Sequence, residues 1–110
     1  MTEFTDYLQE VFENFGSVSA RRMFGGYGIY HRDIMFALVQ NDTLYLKADD
    51  VIAEHFIARD LGQFAYKRNG KWIKLSFYQA PEELFEDREL ACEWAKRSYQ
   101  VALQTRKKKG

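Results

Sequence analysis

Reactive and rigid side chains are scarce in this sequence: it has one cysteine, one proline and two histidines. Cys92 alone cannot close an intrachain disulfide, and no cysteine cluster is available to hold a metal. His31 and His55 lie far apart without a carboxylate arrangement between them, so no metal site follows and none is expected. No apolar run reaches the roughly 18 residues that a membrane-spanning helix needs. The start, Met1-Thr2-Glu3-Phe4-Thr5-Asp6, is acidic and leads into no apolar segment, unlike a secretion signal. A reducing cytoplasm, away from any membrane, is therefore the expected location. Net charge is missing too, because sixteen basic residues cancel sixteen acidic ones. Such a chain has no global field to draw it onto DNA or an anionic membrane, and any nucleic-acid contact must be local.

What is present is core material: 46% of the 110 residues are hydrophobic and 16% aromatic, enough for one folded domain. Charge is unevenly placed. Residues 1–20 carry Glu3, Asp6, Glu10 and Glu13 and no base, whereas Lys96, Arg97 and the run Arg106 to Lys109 close the chain without an acid. The first and last helices would attract if they lay side by side.

Phe4, Leu8, Val11, Phe12 and Phe15 recur at helical spacing before Gly16, which predicts a helix over 3–15. Short alternating runs follow, with strands expected at Met23–Phe24, Gly28–Tyr30, Met35–Val39 and Thr43–Lys47. Asn41-Asp42 suits a two-residue hairpin turn. That turn sets a register in which Val39/Leu44, Ala37/Leu46 and Met35/Ala48 share one face, and Leu38/Tyr45 and Phe36/Lys47 the other. The second face is half apolar, which calls for cover by another layer or a partner.

Asp49 or Asp50 caps a second helix with Val51, Ile52, His55 and Phe56 on one side, ending near Leu61-Gly62. Asn69-Gly70 then joins a second hairpin, residues 64–68 with 71–78. Phe64, Tyr66, Ile73, Leu75 and Phe77 fall on one of its faces, and Lys67, Trp72, Lys74 and Tyr78 on the other. Pro81 with Glu82 and Glu83 opens a last helix carrying Leu90, Trp94 and Val101, which fades into a basic, disordered tail over 106–110. The expected fold is α+β: a domain over 1–105 with a single antiparallel sheet of about five strands, helices at both termini and one in the middle, in the order α-β3-α-β2-α.

Three groups invite a chemical reading. Gly25, Gly26 and Gly28 resemble a phosphate loop, but a dinucleotide fingerprint needs a helix after its glycines, and a strand follows here; a sharp bend in the sheet is the better reading. Cys92 with a histidine could form a nucleophile pair, yet Cys92 falls on an apolar helical strip and reads as packing. The third group is a surface. Lys67, Trp72, Lys74 and Tyr78, with Arg68 and Lys71 at the hairpin tip, interleave cations with aromatics, as single-stranded nucleic acid requires. The alternatives for that face are solvent exposure under lysine stems, or burial in a homodimer. Arg21 and Arg22 point to opposite faces, so at most one can join this group while the other meets an acid such as those of the first helix.

The run Arg21-Arg22-Met23-Phe24-Gly25-Gly26-Tyr27-Gly28-Ile29-Tyr30 resembles the N-terminal domain of the TfoX/Sxy family, bacterial regulators of competence for DNA uptake. The resemblance extends to Met35-Phe36-Ala37-Leu38, Asp42 to Lys47, Tyr66 with Gly70, and Ser76-Phe77-Tyr78 before Pro81. It implies the same α+β layout, similar to small dimeric secretion-chaperone-like folds. It also implies a non-enzymatic role without a cofactor, switching on DNA-uptake genes together with a protein partner such as a transcription factor. Full-length members continue into a second, helical domain, so the chain corresponds to their first domain only. No catalytic or ligand residue is carried over with the resemblance.

Overall fold

A computed structural model describes residues 2–23 and 25–109, with side chains through 106. Phe24, the second residue of the expected Met23–Phe24 strand, lies outside the described residues. Six strands form one antiparallel sheet: β1 (Ser19–Met23), β2 (Gly26–His31), β3 (Ile34–Gln40), β4 (Thr43–Lys47), β5 (Gln63–Arg68) and β6 (Lys71–Gln79), in the spatial order β1-β2-β3-β4-β6-β5. Helices α1 (Glu3–Val11), α2 (Asp50–Ala58) and α3 (Arg88–Lys109) pack on one face. The α+β expectation holds, with six strands rather than about five and four rather than three before α2, since the Met23 segment belongs to a full strand that begins at Ser19.

Helix boundaries follow local chemistry. Thr2 caps α1: its hydroxyl accepts from the Thr5 amide at 3.0 Å, while the Thr5 hydroxyl accepts from the Thr2 amide at 3.0 Å. Beyond Val11 the chain leaves the helix in tight turns that still bury Phe12, so the helix is shorter than the apolar spacing suggests. Asp49 caps α2 through the Ile52 amide at 2.8 Å. The inner side of α2 is Ala53 and Phe56, with Ile52 half-buried; Val51 and His55, read on the same side as Phe56, are exposed. Pro81 opens a short 3-10 turn (Glu82–Phe85) rather than the last helix. Asp87 starts α3 afresh, its carboxylate accepting from the amides of Glu89 and Leu90, both at 3.1 Å. The helix then runs to Lys109, past the point near Thr105 where the sequence pattern fades.

The main core lies between sheet and helices. Leu8 and Phe12, Phe36, Leu44 and Leu46, Phe56 and Leu84 are all essentially inaccessible to solvent. Trp94 meets Phe56 edge to face at 5.0 Å. Just past the C-terminal end of α1, Arg88 at the start of α3 bridges to Glu13 at 3.0 Å and donates to the Glu10 carbonyl, a contact in which the basic end of α3 takes no part.

One register expectation fails, and the reason is local. The hairpin pairs Gln40/Thr43, Val39/Leu44, Leu38/Tyr45 and Ala37/Leu46 are as read from Asn41-Asp42, whose φ values of 52° and 55° fit the turn. On the other side of β3, however, Ile29 pairs with Ala37 and Tyr30 with Met35, leaving Phe36 as the extra residue of a bulge. Phe36 therefore turns toward the helices beside Ala37, while Met35 moves to the opposite face. That opposite face carries its own small cluster, in which Leu38, Phe64 and Phe77 are buried under Met35, Tyr45, Tyr66 and Leu75. Side chains of the sheet itself supply the cover that the sequence called for.

Candidate interaction surface

The glycine-rich run shapes the β1–β2 corner, and each glycine answers a different demand. Gly25 has φ +76°, a turn conformation open to glycine at little cost. A Cβ on Gly26 would stand 2.1 Å from the Val39 carbonyl oxygen, so β2 and β3 approach too closely there for any other residue. The glycines lead into a strand, as a sheet bend requires and a phosphate loop does not.

The reactive side chains are occupied separately. His31 Nδ1 lies 2.7 Å from the Ser17 carbonyl oxygen and so donates to it; its ring packs on Phe15 and Tyr99 at 4.6 and 5.0 Å. Cys92 Sγ donates to the Asn14 carbonyl at 3.5 Å, and His55 stands in solvent on α2. Among the described residues no group of three or more His, Cys, Asp or Glu side chains could hold a metal ion.

The second hairpin has a geometry that its sequence does not reveal. β4 pairs with β6 only through Phe77, Tyr78 and Gln79. The Ala48 amide extends this contact by one bond, to the Ser76 carbonyl. Residues 71–75 of β6 are thus paired with β5 alone, and the hairpin leaves the sheet as a two-stranded arm about 17 Å long, at ~3.4 Å per residue. From Gln63 to Gln79 the arm holds Lys67, Arg68, Lys71 and Lys74 and no acidic residue. Lys67 stands opposite Trp72 in the ladder, and Lys74 follows Trp72 by two residues on the same face. Trp72 is 68% exposed. An indole left in water on a face of lysines has no packing role to explain it.

The remaining predicted residues are placed elsewhere. Tyr78 shares the alternation of Trp72 and Lys74, but at the root of the arm, where its ring stacks on Phe56 at 5.4 Å and is half-buried. It belongs to the core. Arg21 and Arg22 lie on β1, at the other margin of the sheet. Arg21 bonds to Asp33 at 2.8 Å and covers the Tyr30 ring at 4.3 Å, so the acid it meets comes from the β2–β3 turn and not from α1. Arg22 lines a shallow pocket with Met23, Gly25, Gly26 and Tyr27. Sequence reading missed Lys47, which sits against Phe77 at 4.9 Å and donates to the Ser76 hydroxyl at 3.2 Å. It also missed that Arg106 of α3 joins Lys47, Met35 and Phe77 around one groove at the root of the arm. Both placements depend on β4–β6 pairing across about 30 intervening residues, which no local pattern signals.

Residues 10–102 match the TfoX N-terminal domain. Protein Sxy of Escherichia coli is 28% identical over 95 residues, covering 86% of this chain and 46% of that protein. DNA transformation protein TfoX of Haemophilus influenzae is 36% identical over 66 residues, covering 59% of this chain and 30% of that protein. The chain spans less than half the length of the curated relatives it matches.

Proposed function

The chain belongs to the TfoX N-terminal domain family, and from that premise we propose that it is a non-enzymatic protein-interaction module in the regulation of competence for DNA uptake. The observation that carries this reading is the family match across residues 10–102, together with relatives named for DNA transformation. The structure lends support in two ways. His31 and Cys92 are each committed to a backbone carbonyl, which leaves them without the mutual contact a nucleophile pair needs. The surface, by contrast, carries an exposed arm and exposed apolar side chains on α2, Val51 and Ile57, suited to contact rather than conversion. The partner in this reading is a transcription factor.

The test is transcript measurement in the host with the gene deleted and with it over-expressed. DNA-uptake genes should change together in both strains, and transformation frequency should follow. Unchanged transcripts in both would overturn the proposal. Purified protein that altered a candidate transcription factor's promoter binding would locate the contact.

A further inference from the structure

We propose that the β5–β6 arm is a binding site for single-stranded nucleic acid, in which Trp72 stacks on a base while Lys67 and Lys74 engage the flanking phosphates. Three independent features of the arm converge on that ligand. The first is charge: four cations and no acid occur over Gln63–Gln79 in a protein whose total charge is zero. Such local excess suits a polyanion, since each phosphate neutralised releases condensed counterions.

The second feature is the indole. Lys67 lies across the ladder from Trp72 and Lys74 two residues along the same strand as Trp72, both on the same face as a ring that is 68% exposed. Lys74 stands ~6.8 Å along the strand from Trp72 and Lys67 about 5 Å across it, so both long side chains can reach phosphates beside a base placed on the ring. Stacking of this kind requires unpaired bases, whose faces are accessible, and tolerates any sequence.

The third feature is form. The arm stands clear of β4, and α2 covers its Trp72 face only at the root, where Tyr78 meets Phe56, so the exposed stretch around Trp72 is open to a strand of nucleic acid. The groove at its root, lined by Asp33, Lys47, Phe77 and Arg106, opens on the opposite face of the sheet and takes no part in this site. This inference concerns a different partner class from the regulatory reading, and either can fail without the other.

The experiment is fluorescence anisotropy of a labelled 20-nucleotide oligothymidylate titrated with the full chain from low to moderate salt. Affinity should fall as salt rises, with a log–log slope near −0.7 per phosphate contacted. Trp72→Ala should weaken binding about 5- to 150-fold, the equivalent of losing one stacked base. Lys67→Glu with Lys74→Glu should weaken binding at least about tenfold at low salt and flatten its salt dependence. Arg59→Ala, on α2, should bind as the parent does. All four sites are solvent-exposed, and melting temperature confirms that each variant is folded. Absence of binding at low salt overturns the proposal. So does binding that Trp72→Ala leaves unchanged, or a preference for a duplex of the same length over the single strand.

Discussion

Substituting alanine for each glycine of the β1–β2 corner in turn separates three physical demands that one motif conceals. At Gly26 the new Cβ would lie 2.1 Å from the Val39 carbonyl oxygen and 2.6 Å from Gln40 Oε1. Carbon and oxygen make contact at about 3.3 Å, so β2 must retreat from β3 by roughly 1.2 Å. A ladder bond lengthened that far is no longer a hydrogen bond. Losing two or three such bonds at about 1 kcal/mol each, with some overpacking strain, gives a cost of about 3–5 kcal/mol. For a domain of this size that lowers Tm by roughly 12–20 °C. At Gly28 the new methyl meets Met23 Sδ, Met35 Sδ and Tyr30 Cε1 at 2.8–2.9 Å. Those are far ends of flexible side chains that can swing aside, so the cost is about 1 kcal/mol. At Gly25 the nearest atom is 4.0 Å away, and only the left-handed backbone at φ +76° resists, at about 1 kcal/mol. Urea denaturation of the three variants measures the order directly. Gly26→Ala within about 1 kcal/mol of the parent, or no worse than Gly28→Ala, would refute the close-approach argument.

Two further substitutions test the interior. Ser98 is fully buried and its hydroxyl has no hydrogen-bond partner; Ser98→Ala should raise stability by about 1 kcal/mol, seen as a Tm increase of roughly 4 °C, whereas a fall would mean the hydroxyl is satisfied in solution. Phe36→Ala should cost about 3–5 kcal/mol and Met35→Ala clearly less, because the bulge turns Phe36 into the core and Met35 onto the outer face; equal or reversed losses in chemical denaturation would contradict the bulge.

Local signals in the sequence carried as far as their range allows. Asn41-Asp42 and Asn69-Gly70 mark turns because these residues tolerate positive φ, and both turns are present with φ between 51° and 78°. Arg32-Asp33 makes the same kind of turn, at φ 49° and 63°, although Arg32 has no such preference. There the Asp33–Arg21 bridge helps hold a conformation that composition does not announce. The bulge at Phe36 is invisible for a related reason: alternation is read along one strand, and the extra residue exists only relative to β2. Of the candidate surface, the basic and aromatic face of Lys67, Trp72 and Lys74 was legible, since a two-residue turn fixes which residues face together. That the root of this same face, at Tyr78, is core was not, because α2 covers one end of β6 and not the other. Arg21 and Arg22 stand apart from the arm for the same kind of reason, since strand order is a property of the whole sheet.

The two marginal strands bear on whether many copies can stay dispersed. An open sheet margin offers unpaired amides and carbonyls to any other strand, which is how edge-to-edge aggregation begins. Here β1 carries Arg21 and Arg22, and β5 carries Lys67 and Arg68. Where two such margins meet in a register that brings these side chains together, cations stand beside cations at strand spacing of roughly 5 Å. Repulsion at that distance opposes edge-to-edge pairing. The protection is electrostatic, so it fades as salt shortens the screening length toward ~3 Å at 1 M. A protein with no net charge thus resists aggregation through where its charges stand rather than how many it has.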